Sequence, residues 1–130
     1  MSYYFKTTVD ASFEEAIEIA TEALKEEGFG VLTEIRIHDK LKEKLDVDFH
    51  KYIILGACHP ASAYEALQHE NKIGTMLPCN VIVQELDENK MEIAAVNPIE
   101  SMQAIENPAL GSVAGDVKDR LERVISSIGK

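Results

Sequence analysis

Hydrophobic positions along the chain recur with two periods, one typical of helices and one typical of strands. Ser12 with Glu15 three residues later forms a capping box, and the helical spacing of apolar residues after it predicts a helix that ends at Gly28. A second apolar stripe follows Asn107 and Pro108 and predicts a long closing helix. The members of that stripe are Val113, Val117, Leu121, Val124 and Ile128.

Segments rich in β-branched and aromatic residues predict the strands of a sheet. They cover residues 3–9, 29–38, 51–57, 79–86 and 91–96. In the second segment, alternation places Gly30, Leu32, Glu34 and Arg36 on the face that the helices leave open. Short helices are expected on either side of the third strand, the second of them beginning at Pro60. The major elements follow the order β-α-β-β-β-β-α, which predicts an α+β fold with an antiparallel sheet and both long helices on one face.

Composition favours a single domain that binds neither nucleic acid nor membrane. The 130 residues contain no repeat or linker, so residues 1–130 are expected to form one unit. A net charge of −10 opposes nucleic-acid binding, which depends on cationic side chains. No targeting segment or apolar membrane span is present in the sequence, which favours a cytoplasmic location and two reduced cysteines.

Polar and thiol side chains are expected to meet at one end of the sheet, which we call the rim. If the third and fourth strands are antiparallel neighbours, Cys58 at the end of one lies beside Cys79 at the start of the other. The end of the fifth strand brings Asn97 to the same place, and His59 and Asn80 adjoin the cysteines in the chain. These five residues are the predicted ligand-binding set.

The rim permits several kinds of chemistry. Cys58, His59 and Cys79 are suitable ligands for zinc or copper(I), although their spacing matches no metal-finger pattern. Alternatively, the helix start after His59 would stabilise a thiolate on Cys58, with Cys79 as its resolving partner in a redox enzyme. In a third interpretation both cysteines only pack, and the protein is a dimeric interaction module. The preferred prediction is a small-molecule or metal-ion binding domain with its site between the closing helix and the rim.

Three blocks of the sequence resemble one protein family. They are residues 28–35 (GFGVLTEI), 52–60 (YIILGACHP) and 73–81 (IGTMLPCNV). Together they resemble the bacterial and archaeal family called domain of unknown function 302, over essentially the whole chain. The resemblance implies an α+β fold with the layout of TATA-box-binding-protein-like domains and a homodimer as the working state. It implies no reaction, and a fold alone assigns none.

Overall fold

The computed structural model describes residues 2–129, which form five strands and five α-helices. The strands are β1 (Tyr4–Val9), β2 (Gly30–Arg36), β3 (Tyr52–Cys58), β4 (Cys79–Asp87) and β5 (Lys90–Val96). The helices are α1 (Phe13–Glu26), α2 (Ile37–Leu45), α3 (Pro60–His69), α4 (Pro98–Ser101) and α5 (Leu110–Ile128), with a 3-10 turn at Ile73–Met76. None of the helices in this part of the chain is long and apolar enough to span a membrane.

The sheet is antiparallel throughout, in the order β1-β5-β4-β3-β2. Helices α1 and α5 cover one of its faces and pack on each other, because each has an apolar stripe that must be buried. The predicted α+β fold is thereby confirmed. We call the second face, which neither long helix covers, the open face.

Local sequence sets both ends of α1. The Ser12 hydroxyl accepts a hydrogen bond from the Glu15 backbone N–H, and the Glu15 carboxylate accepts one from the Ser12 N–H, as the capping box requires. At the other end Gly28 has a φ of +87°, the left-handed conformation that glycine adopts without steric cost. The chain then turns directly into Phe29, which is buried under the helices.

The hydrophobic interior consists of two clusters. The main core lies between the sheet and helices α1 and α5, and includes fully buried Leu24, Leu55 and Leu121. The second cluster is small and lies beyond the rim, where α3 and the 3-10 turn meet the first turns of α5. Its buried members are Ala66, Ile73, Leu110 and Val113. The two clusters meet above the start of β4.

A bulge in β2 changes the pairing expected from the sequence. Val31 pairs with Ala57, but Thr33 pairs with Gly56, which leaves Leu32 unpaired between them. A bulge of one residue exchanges the faces of every later side chain in its strand. The alternation predicted for this strand therefore holds only up to the bulge.

The prediction that Glu34 and Arg36 lie on the open face is wrong for this reason. Glu34 pairs with Leu55 and Arg36 with Ile53, and directly paired residues share a face. Arg36 consequently reaches helix α1, where its guanidinium donates two hydrogen bonds to the Glu14 carboxylate at 2.8 and 3.1 Å. This ion pair joins strand β2 to α1.

The closing helix begins later than predicted. Asn107 does not cap it: its side-chain oxygen accepts a hydrogen bond from the Ala109 N–H, and the helix starts at Leu110. The Asn107 amide nitrogen instead donates to the His69 carbonyl at the end of α3. Asn107 therefore joins α3 to the approach of α5, and these two elements form the outer wall of the rim.

Candidate functional site

Strand pairing brings the two cysteines together at the rim. Cys79, the first residue of β4, pairs with Ala57, and Ala57 directly precedes Cys58. Since paired Cα atoms lie about 4.5 to 5.5 Å apart and consecutive ones 3.8 Å apart, Cys58 and Cys79 are near neighbours. Cys79 and its partner Ala57 are buried in the main core, whereas Cys58, which pairs with Gly30, is only partly buried. The expected meeting of the cysteines at the rim therefore occurs.

A cavity lies where the main core and the second cluster meet, and we call it the seam cavity. Its floor is the rim, including Cys58 and Cys79, and its walls are helices α3, α4 and α5. Its volume is about 40 Å³, room for about three water-sized groups. No Asp, Glu, Lys or Arg is among the described residues that line it. Apart from the thiols, the described lining residues with strongly hydrogen-bonding side chains are His59 and Ser62.

His59 acts as the N-cap of α3. Its Nδ1 accepts a hydrogen bond from the Ser62 backbone N–H at 3.3 Å and lies 2.8 Å from the Ser62 hydroxyl. Because Nδ1 is an acceptor, the neutral ring carries its proton on Nε2. That second nitrogen faces Gly28, where an added Cβ would lie only 3.0 Å from it. His59 therefore has a structural role that residue spacing alone does not reveal.

The predicted metal site is not assembled. Nowhere in residues 2–129 do three His, Cys, Asp or Glu side chains come together so that they could hold a metal ion. One reason is local: the Nδ1 of His59 is occupied by the cap of α3. Zinc and copper(I) therefore have no three-ligand site at the rim.

Burial keeps the Cys79 thiol protonated. Desolvation in the core, and secondarily the nearby Cys58, raise the pKa of Cys79 from 9.0 to about 11. A thiol with this pKa is a poor nucleophile at neutral pH, because the thiolate is the reactive form. Cys79 is therefore not a rim thiol with a lowered pKa, and the thiolate expected on Cys58 stays a prediction.

The two asparagines of the predicted ligand-binding set lie in different surroundings. Asn97 is 2% exposed and caps α4, since its side-chain oxygen accepts a hydrogen bond from the Ile99 N–H. Its amide nitrogen donates to the Ser2 carbonyl at 3.4 Å, so both ends of the side chain have structural partners. Asn80 is exposed and lies on the open face, opposite Gly56. Neither side chain is directed into the seam cavity.

Sequence reasoning missed a second cavity, which we call the open-face cleft. It has a volume of about 400 Å³ and lies across β1, β5, β4 and β3 on the open face. Tyr3, Tyr4 and Tyr52 are part of its wall, together with Lys6 and Glu92. These residues are far apart in the chain and show no common motif, so only the strand order and register could bring them together.

Comparison with known proteins identifies a family but no activity. Residues 5–128 match the family described as domain of unknown function DUF302. The crystal structure of an uncharacterized conserved DUF302 protein from Bacillus stearothermophilus is similar to this chain, with 30% sequence identity and a TM-score of 0.89. The similarity covers 100% of both chains. No curated protein matches the sequence.

Proposed function

Because the chain belongs to the DUF302 family, whose description assigns no activity, we propose a function from its site: the protein is a small-molecule binding domain. The site is the seam cavity, and the ligand is an uncharged, largely apolar molecule with one hydroxyl or carbonyl group. The observation that carries the proposal is the lining of this cavity, which is apolar except for the thiols and the His59–Ser62 pair. Pockets for small ligands characteristically combine an apolar wall with a few polar groups.

The absence of charge in the lining determines the ligand class. A charged ligand would lose its hydration without an ion-pair partner among the described lining residues, and such desolvation costs several kcal/mol. The apolar part of a ligand has no such desolvation cost when it enters the cavity. The Ser62 hydroxyl and the His59 ring lie at the start of α3, beside the cavity, and are the groups that would meet the polar end of the ligand.

The seam between the two hydrophobic clusters allows the cavity to enlarge. At about 40 Å³ the closed cavity is smaller than any typical ligand pocket. Within residues 2–129 the second cluster has four buried members, against which Leu77, Met102 and Ile105 pack, so moving it away from the main core disrupts fewer apolar contacts than opening the main core. Small side chains, Ala63 and Ala66 from α3 and Ala114 from α5, form the facing walls. Entry by displacement of α3 is therefore inexpensive compared with opening the main core.

Thiol redox chemistry is the less favoured alternative. A disulfide forms when one thiol is oxidised and a second thiolate attacks it, with loss of water from a sulfenic acid or of a thiol from a mixed disulfide. With a pKa of about 11, Cys79 supplies little thiolate for the second step. Its position in the main core makes packing the simpler role.

The proposal is tested by NMR with two probes, xenon and benzyl alcohol. We expect benzyl alcohol to perturb the amide signals of α3, the start of β4 and the first turns of α5, and to slow alkylation of Cys79. Ala114→Met, which fills the cavity with a flexible side chain, should abolish both effects. Gly115→Ala is the matched control, because a Cβ at Gly115 has no heavy atom within 4 Å.

Two results would contradict the proposal. If xenon binds but benzyl alcohol and related uncharged probes do not, the cavity is a packing void. If Ala114→Met binds benzyl alcohol as well as Gly115→Ala does, the ligand lies elsewhere. Thermal unfolding of both variants shows whether each one folds.

A further inference from the structure

The open-face cleft has two aromatic walls that form a corner. The rings of Tyr3 and Tyr4 have centroids 4.9 Å apart and planes at 74° to each other, an edge-to-face arrangement. Two rings at this angle present a ring face and a ring edge to a shared space. Tyr52 of β3 lines the same cleft from the other side. Burial is the main cause of the raised pKa of the Tyr52 phenol, and the electrostatic effects of Glu92 and Tyr3 also contribute. Because these effects act over short distances, Glu92 and Tyr3 lie near Tyr52.

The Glu92 carboxylate lines the same cleft as the three tyrosines. The Glu92 side chain is only 17% exposed, and its ion pair with Lys6 is stretched to 3.9 Å, with the Lys6 side chain 57% exposed. A lysine at that distance and exposure contributes little to holding the carboxylate. Glu92 is therefore shielded from solvent without a close cationic partner.

Hydrogen bonds hold Glu92 in place from the neighbouring strand. The Gln84 amide nitrogen donates to a Glu92 oxygen at 2.8 Å. His50 Nε2 lies 2.9 Å from the Gln84 oxygen, so the imidazole N–H donates to it and fixes which end of the amide faces Glu92. The chain His50–Gln84–Glu92 orients the carboxylate before any ligand arrives.

We propose that the open-face cleft binds a small organic ammonium ion, with the tyrosine rings around the cation and the Glu92 carboxylate as its counter-ion. Aromatic faces attract such cations through the ring quadrupole, and recognition of quaternary ammonium groups by several rings is the best-known use of this attraction. The cleft volume of about 400 Å³ is within the range of small-molecule pockets. The net charge of −10 also raises the local concentration of cations.

This site is independent of the seam cavity. The two lie on opposite faces of the sheet, and the charged lining of the cleft selects a different ligand class. Lys6 has a defined part in the proposal: its ammonium group, 3.9 Å from the Glu92 carboxylate, repels an incoming cation. Removing the Lys6 charge should therefore strengthen ammonium binding, whereas removing the Glu92 charge should weaken it.

Calorimetry and NMR with choline as the probe test the proposal, using 3,3-dimethylbutanol as the neutral molecule of the same shape. We expect choline to bind at least about tenfold more tightly than the neutral alcohol. Glu92→Gln should weaken choline binding by about tenfold or more, and Lys6→Gln should strengthen it several-fold. Glu88→Gln is the matched control, since it removes the same charge from the exposed β4–β5 hairpin and should leave binding unchanged.

Equal binding of choline and its neutral analogue would overturn the proposal, because the cleft would then recognise shape alone. An unchanged affinity in Glu92→Gln, or weaker binding in Lys6→Gln, would also overturn it. A stable dimer that buries the Tyr3–Tyr52 face from hydrogen exchange and binds no choline would assign this surface to a second copy of the chain. Far-ultraviolet circular dichroism of each variant confirms that it is folded.

Discussion

The two faces of the sheet are built from alternate residues of the same strands, yet they have opposite properties. On the helix-covered face, Leu55 of β3 and Val83 of β4 are fully buried in the main core. On the open face, the residues next to them include Ile54, Gln84 and Tyr52, which are only partly buried. A shift of one residue along a strand thus separates a dry interior from a polar surface with an aromatic cleft.

The difference between the faces determines what each can bind. The face covered by α1 and α5 has the small seam cavity at the end of the sheet, lined mainly by apolar groups and thiols. Without a helical layer, the open face retains a larger cleft with a carboxylate, a lysine and tyrosine hydroxyls. Burial therefore raises the pKa of a thiol on one face, while on the other face the Lys6 side chain stays 57% exposed.

The largest expected effect comes from removing a leucine on the covered face. Leu55→Ala should lower the free energy of unfolding by about 2 to 5 kcal/mol, because it leaves a cavity in a closely packed core. Leu32→Ala removes the same atoms from a side chain that is 66% exposed, and should cost less than about 0.5 kcal/mol. Urea unfolding of both variants measures the contrast, and equal losses would contradict the assignment of the faces.

The next effect concerns pH and Cys79. Because its pKa is raised from 9.0 to about 11 in the folded protein, the folded state holds the thiol proton more tightly than the unfolded state between these values. Stability should therefore be unaffected by this group below pH 9 and fall by about 2 to 3 kcal/mol as the pH rises to 11. Urea unfolding across this range measures the fall. Cys79→Ala should show a correspondingly smaller decline, and an identical pH dependence would show that this thiol is not buried in solution.

A pair of glycines tests the connection between α1 and the rim. Gly28→Ala places a Cβ 2.9 Å from the His59 ring and at a φ of +87°, so it should cost about 1 to 3 kcal/mol and disturb the cap of α3. Gly115→Ala, in open space within α5, should instead stabilise the protein by about 0.5 to 1 kcal/mol. Thermal unfolding gives both values. An NMR shift of the Ser62 amide in Gly28→Ala alone would confirm the link to His59.

The homodimer stays a prediction, and the open face offers a way to test it with little effect on the protomer. Ile35 is 43% exposed and pairs with Ile54 on this face. Ile35→Asp should change protomer stability only slightly, but should convert a dimer that uses this face into a 14.4 kDa monomer in light scattering. A wild-type monomer at high micromolar concentration would contradict the predicted dimer. A dimer unaffected by the substitution would place the interface elsewhere.

Local signals were sufficient for most of the architecture. The capping box at Ser12, the glycine at position 28 and Pro60 at the start of α3 act over a few residues, and the structure has each where it was predicted. The convergence of Cys58 and Cys79 also followed from strand order. Helix α4 was not foreseen although its signal, an Asn97 cap followed by Pro98, is local. The start of α5 at Leu110 was not foreseen, because the Asn107 amide bonds to the distant His69 carbonyl.

The sequence by itself determined the fold, since periodic burial and capping are properties of short segments and do not depend on contacts with distant parts of the chain. Only the tertiary structure decided the faces and the sites. The bulge at Leu32 moved Arg36 to Glu14, burial in the main core raised the pKa of Cys79, and the sheet order gathered the tyrosines and Glu92 in one cleft. Each outcome depends on register and burial between distant segments, and a one-residue shift in register changes which side chains meet.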